Sequence, residues 1–336
     1  MADRSSWSRG RIPSYTYPLI LELKSMQITP ITKQDLASSV ISVPPMARHA
    51  DLSLAEAENC KIVQHLEAGG VSTLLYGGNA LLYHVAPSQY GELLAMLERI
   101  VAEDSLVIPS VGSSYGMMMD QARVLSRMAF PTAMVLPQPN VVTYTGVERA
   151  IGDFVQTAGK PAVVYIKQLG YIEVENVKRL VDSGSVSWIK YAIVREEPAQ
   201  DEYLARLKDA IGTEMIVSGI GEQPALTHMQ KFEVTAFTSG CVCIAPALSM
   251  HLLRLIQTGD YAAADQVRRI FKPLEDLRNA INPVRVLHSA VAGSGIADTG
   301  PLLPMMSPVS ESEAAEIAGV ATDLLEAEMK FRDGVN

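Results

Sequence analysis

Val186-Ser187-Trp188-Ile189-Lys190-Tyr191-Ala192-Ile193-Val194 is a run of β-branched, aromatic and small apolar residues with a lysine at its centre. Such a run reads as a strand. Helical patterns flank it, from Glu173 to Asp182 before and from about Ala199 to Ile211 after. A strand held between two helices is the repeating unit of a parallel sheet with crossover connections. No carboxylate lies close to Lys190 in sequence. Burying an unpaired ammonium costs roughly several kcal/mol. Lys190 therefore either carries its head to solvent at a strand end or sheds its proton and becomes a nucleophile.

The same theme extends outward in both directions. Toward the N-terminus, strands are predicted at Ala162 to Ile166, Thr132 to Leu136, Leu106 to Val111, Val71 to Tyr76 and Ser38 to Val43, the last closed by Pro44-Pro45. Helices are predicted at Gly146 to Ala158, Tyr115 to Met128, Ser88 to Glu103, and from a Ser53 cap to Ala68, ending at Gly69-Gly70. Toward the C-terminus, Met215 to Ser218 and Val234 to Thr238 complete eight strands, with Lys190 on the sixth. Eight strands alternating with helices close into a (β/α)8 TIM barrel, predicted over residues 28–245. Residues 246–336 read as a C-terminal helical extension, with helices at Tyr261 to Arg278, Pro283 to Ala292 and Ser310 to Met329. Residues 1–27 read as an N-terminal arm, or as sequence upstream of a true start at Met26. Arg4, Arg9 and Arg11 before Tyr17-Pro18-Leu19-Ile20-Leu21 faintly mimic a signal peptide, but the apolar part is short and interrupted.

Composition narrows the function. The chain has 336 residues, 48% hydrophobic, with a net charge of −9, which supports a large core and gives no electrostatic footprint for nucleic acid or an anionic membrane. No apolar run approaches the length of a membrane span. A small molecule or another subunit is the expected partner. Cys60, Cys241 and Cys243 lack zinc spacing and an even count, which fits a reduced cytoplasmic setting. No metal or organic cofactor is expected: ligand spacing is absent, and the glycine pairs form no dinucleotide fingerprint.

Barrel enzymes place their chemistry at the C-terminal ends of the strands. Lys190 lies at such an end, and Tyr165 at the end of the adjacent fifth strand, so one mouth receives an amine and a phenol. Gly77-Gly78-Asn79, after the second strand, offers backbone N–H groups suited to a carboxylate. Ser218-Gly219, after the seventh, is expected to line the site. Arg195, before Glu196-Glu197, reads as a surface charge or a second anion contact, and His84 as a solvated loop residue. Met117-Met118-Met119 reads as core filling.

The glycine turn, Tyr165, Ile189-Lys190, Val217-Ser218-Gly219, Ile244-Ala245-Pro246 and Asn282-Pro283, in this order, resemble the dihydrodipicolinate synthase/N-acetylneuraminate lyase family of class I pyruvate-dependent aldolases and dehydratases. The resemblance covers about Ile28 to Glu326, and its specificity lies in the combination. It implies that Lys190 forms a Schiff base with pyruvate or another 2-oxo acid and that Tyr165 relays protons. It also implies a homo-oligomer, a dimer or a tetramer. Three departures accompany the matches. Gly77-Gly78-Asn79-Ala80-Leu81 stands where the family has G-x-T-G-E, which removes the threonine hydroxyls and the glutamate. Leu136-Pro137-Gln138-Pro139-Asn140 replaces the tyrosine motif that crosses a subunit interface, and Lys167 to Tyr171 lacks the synthases' aldehyde-binding arginine. These losses keep the Schiff-base half and change the acceptor half. The expectation is a lyase acting on pyruvate or a 2-keto-3-deoxy acid, ahead of a lysine-pathway synthase. The competing class is a non-catalytic barrel that binds a 2-oxo acid.

Overall fold

The computed structural model describes residues 26–334; the proposed arm up to Ser25, with its leader-like stretch, lies outside them. Nine short strands form one parallel sheet: β1 (Ile41–Ser42), β2 (Thr73–Leu75), β3 (Leu106–Ile108), β4 (Ser110–Val111), β5 (Ala133–Val135), β6 (Ala162–Ile166), β7 (Val186–Tyr191), β8 (Ile216–Ser218) and β9 (Ala236–Ser239). The ninth strand comes from a break in the predicted third. Pro109 has no N–H to give the ladder, so the stave divides there: β3 pairs with β2, and β4 pairs with β5. β1 pairs with both β2 and β9, so the ring closes across Pro109 as eight staves of a (β/α)8 barrel.

Helices α1 (Lys33–Ser38), α2 (Glu56–Ala68), α3 (Pro87–Ile100), α4 (Tyr115–Leu125), α5 (Tyr144–Ala158), α6 (Val174–Asp182), α7 (Glu202–Ile211), α8 (Glu222–Phe232) and α9 (Pro246–Thr258) precede or follow the staves. Two local expectations change. α1, capped by Thr32 and Asp35 in a reciprocal box, is a helix where no element was expected. Ser53 does not cap α2: its hydroxyl bonds Asp51, and Ala55 occupies the cap position without a side-chain bond.

The chain ends in α10 (Tyr261–Ala280), α11 (Pro283–Gly293) and α12 (Glu311–Arg332). Carboxylates of this extension grip the N-termini of two barrel helices. Glu275 of α10 accepts from the N–H groups of Glu222 and Gln223, both at 2.9 Å, at the start of α8. Glu328 of α12 accepts from Ala247 and Leu248, both at 2.9 Å, at the start of α9. Both arrangements set the oxygens of a buried carboxyl group against the N–H groups at a helix start, where burial raises the pKa of each acid. Because helices start where strands end, these grips hold the extension at the C-terminal mouth of the barrel. Among the described residues, no helix is long and apolar enough to cross a membrane.

Candidate active site

Alternation along β7 fixes where Lys190 points. Tyr191 lies on the outer face, its hydroxyl donating to Asp201 at 2.5 Å and its ring stacked on Tyr203 of α7. Lys190, one residue earlier, therefore faces the barrel interior together with Trp188. Its side chain is 4% exposed. β6 pairs with β7 so that Tyr165 lies directly beside Lys190, and the ammonium nitrogen sits 4.8 Å from the centre of the Tyr165 ring.

No carboxylate forms an ion pair with Lys190 among the described residues. Burial, with Lys167 and Arg278 adding like charge, lowers its pKa from 10.5 to about 7. A large share of the amine is then neutral at physiological pH, the form that attacks a carbonyl. Burial pushes the Tyr165 phenol up to about 12, with Arg278 pulling against it, so this phenol is a protonated donor beside the amine.

The expected residues do not all converge. Gly219 lies against the lysine: a Cβ there would be 2.8 Å from Lys190 Cγ and 2.9 Å from the Tyr191 carbonyl oxygen, so its bareness makes room for the lysine. Ser218, expected to line the site, turns the other way; its hydroxyl is hydrogen bonded to His228 Nδ1 at 2.9 Å in the helix layer. Arg195 is occupied by an ion pair with the buried Asp201 at 3.1 Å. His84 is exposed, as a loop histidine should be.

The turn after β2 is held from behind. Asn79 donates its side-chain amide to the Val43 carbonyl at 2.8 Å, and its own carbonyl accepts from His288 Nε2 of α11 at 2.9 Å. The Asn79 side chain is thus a brace for the turn. The N–H groups of Gly77, Gly78 and Asn79 make no hydrogen bond among the described residues and remain available to an anion. A Cβ on Gly77 would lie 2.7 Å from Met134 Cε, so the turn packs tightly against the ring.

Sequence reasoning passed over three features that lie near the candidate site. Tyr83 lies 3.8 Å from where a Gly78 Cβ would be. Burial raises its phenol pKa, with Tyr165 and Tyr171 acting in the same direction. Arg278 of α10 reaches Gly240 at the end of β9, and its charge is felt by both Lys190 and Tyr165. Glu222 and Glu275 form a buried acidic pair behind it, and burial raises both their pKa values. One signal for α10 was present: Phe271, Leu274, Glu275 and Arg278 share one helical stripe, so two charges occupy a face that otherwise packs inward. At the same end of the barrel, Val135, Leu136, Gln138 and Tyr171 help wall a cleft of about 640 Å³ between α4 and α5.

No family model matches the chain. A curated protein of Rhizobium rhizogenes, described as a probable 5-dehydro-4-deoxyglucarate dehydratase, is 21% identical over 295 residues, covering 86% of this chain and 96% of that protein. The dihydrodipicolinate synthase of Bacillus clausii superposes with a TM-score of 0.72 at 20% identity, covering 87% of this chain and 98% of that one. The sialic acid aldolase of Ruminococcus gnavus superposes with a TM-score of 0.76 at 14% identity, covering 88% and 99%. The chain resembles the dihydrodipicolinate synthase and sialic acid aldolase group. The likeness runs through the barrel and into the C-terminal helices, since nearly the whole of each relative is covered.

Proposed function

We propose that the protein is a lyase of this group that forms a Schiff base on Lys190 with a 2-oxo acid. The observation that carries the reading is a buried lysine facing the barrel interior with no acidic partner, its pKa lowered to about 7 and a protonated phenol beside it. A structural lysine has no need of such a place, and a barrel that merely binds a 2-oxo acid gains nothing from a depressed lysine pKa.

The chemistry follows from the two side chains. Neutral Lys190 adds to the ketone carbon, and Tyr165 donates a proton to the developing oxyanion, giving a carbinolamine. Loss of that hydroxyl as water leaves the imine. Once protonated, the imine accepts the electron pair released when the neighbouring carbon loses a proton or breaks a C–C bond, giving an enamine. In dehydration the enamine expels the hydroxyl on the next carbon as water, and in aldol cleavage it takes up a proton on carbon; either way an imine is restored, and its hydrolysis returns the lysine. Dehydration of a 2-keto-3-deoxy acid stands first among the substrates, ahead of aldol cleavage, because the relative in Rhizobium rhizogenes is described as a dehydratase. Dihydrodipicolinate synthesis comes after both, since no arginine follows Tyr165 and Arg195 is bound to Asp201. The protein acts without an organic cofactor, in the cytoplasm, as a homo-oligomer. Tyr115, Val141 and Tyr144, exposed around the cleft between α4 and α5, are the apolar surface that a second copy would cover.

Borohydride trapping tests this reading. Incubation with pyruvate, reduction, and peptide mapping by mass spectrometry should place an adduct on Lys190 that is absent from Lys190→Ala. Failure to trap pyruvate and a panel of longer 2-oxo acids would remove the lyase reading.

A further inference from the structure

Arg278 is a half-buried guanidinium: burial pulls its pKa down, but Cys241, Glu275 and Glu222 act on its charge and raise it overall. It takes part in no ion pair among the described residues; Nη1 reaches only Cys241 Sγ, at 3.9 Å, and the buried Nε has no hydrogen-bond partner. The nearby acids make hydrogen bonds of their own, although Glu222 keeps one buried oxygen, Oε2, without a partner. Glu275 is held by two N–H groups at the start of α8, and Glu222 accepts from Ser249 at 2.8 Å. A guanidinium in this condition carries a desolvation cost that an incoming anion would relieve.

Its position indicates which anion. A Cβ built on Gly240, directly after β9, would lie 3.0 Å from Arg278 Nη2 and 3.1 Å from Asn79 Nδ2. A Cβ built on Gly221, just before α8, would lie 3.9 Å from Nη1. The guanidinium therefore spans the bare turns after β8 and β9 and meets the Gly77-Gly78-Asn79 turn across Gly240. The bare Gly240 makes room for the Arg278 guanidinium beside Asn79, while the space at Gly221 is taken by Glu275 Oε1, 2.1 Å from where a Cβ would be. Its field reaches the Lys190 amine as well.

We propose that Arg278 binds the carboxylate of the 2-oxo acid that condenses with Lys190, sharing it with the backbone of the Gly77-Gly78-Asn79 turn. The proposal rests on the Schiff-base reading above and names the residue that makes the site select an acid over a neutral ketone. α10 thus contributes to the site as well as to packing, and Arg278 is a specificity-determining residue that the barrel alone does not supply.

The test compares two ketones of nearly equal size, pyruvate and pyruvamide, in borohydride trapping with the full chain, Arg278→Met and Arg278→Lys. The expected result is a half-saturating pyruvate concentration raised about ten- to a hundredfold in Arg278→Met, the scale of one hydrogen-bonded charge. The value for pyruvamide should stay nearly unchanged, and Arg278→Lys should fall between. Removing the charge also changes the protonation of Lys190, but this moves both ketones equally, so the ratio is diagnostic. Trapping of pyruvamide shows that a variant is folded; if Arg278→Met traps neither ketone, the ratio in Arg278→Lys decides. An unchanged ratio overturns the role of Arg278 and leaves the Schiff base intact. Absence of any adduct on Lys190 in the unmodified chain overturns the Schiff base and this proposal with it.

Discussion

Replacing Lys190 by methionine should make the protein more stable while abolishing adduct formation. Methionine is unbranched and of similar length, so it fills the same slot without a charge. The cost it removes follows from the pKa. The ammonium titrates at 10.5 in the free side chain and at about 7 in the fold. At ~1.4 kcal/mol per decade, this gap is on the order of 5 kcal/mol. The sign is set by which state binds the proton more tightly. Here it is the unfolded chain, so the penalty is complete below about pH 7 and fades as pH rises toward 10.5. The stability advantage of Lys190→Met should therefore be on the order of 5 kcal/mol at pH 6, about 3 kcal/mol at pH 8, and small at pH 11. Equilibrium urea unfolding of both proteins at the three pH values reads it directly. Apolar burial adds a part that does not depend on pH, so the slope is the test. A gain that is flat across this range, or a loss at pH 6, would show that the lysine head reaches water and would refute the reasoning.

Three further outcomes follow from the same geometry. The rate of pyruvate adduct formation should rise with pH and reach half its plateau near pH 7, because only the neutral amine attacks; a midpoint near pH 10 in stopped-flow trapping would contradict the buried environment. Tyr165→Phe should still form the adduct slowly, with turnover reduced about 10²- to 10³-fold, the scale of a lost general acid; unchanged turnover would exclude Tyr165 from proton transfer. Gly219→Ala should lose about 1–3 kcal/mol in urea unfolding and most of its adduct, because the new methyl meets Lys190 Cγ at 2.8 Å and a carbonyl that cannot move aside. Full retention of trapping in that variant would mean that Lys190 does not depend on the gap beside Gly219.

The barrel was legible because its signal is repeated. Each buried parallel strand is a short apolar run with a helix after it, and eight such units constrain one another even when each alone is ambiguous. The elements that escaped lack that repetition. The break at Pro109 lies inside a run, Leu106 to Val111, that reads as one strand; only pairing with two different neighbours divides it. α1 has six residues, too few to show a period, and its cap at Thr32 and Asp35 is the sole local sign.

The candidate site was legible only where one residue stands out from its own strand. A lysine amid Trp188, Ile189 and Tyr191, or a tyrosine ending Ala162 to Ile166, is conspicuous in one dimension. Which way a hydroxyl turns is not. Ser218 and Gly219 are neighbours in sequence, yet strand alternation sends the serine to His228 and leaves the glycine beneath Lys190. The missing anion donor was harder still, because the loss of the threonines from the β2 turn is visible at Gly77-Gly78-Asn79, whereas Arg278 lies in a helix that looks like an appendage. The grip of Glu275 on α8 links the two. By docking α10 against the barrel mouth, it brings a C-terminal arginine to the glycine gap after β9. A site in which the turn has lost its hydroxyls can then still hold a carboxylate, provided the extension stays in place.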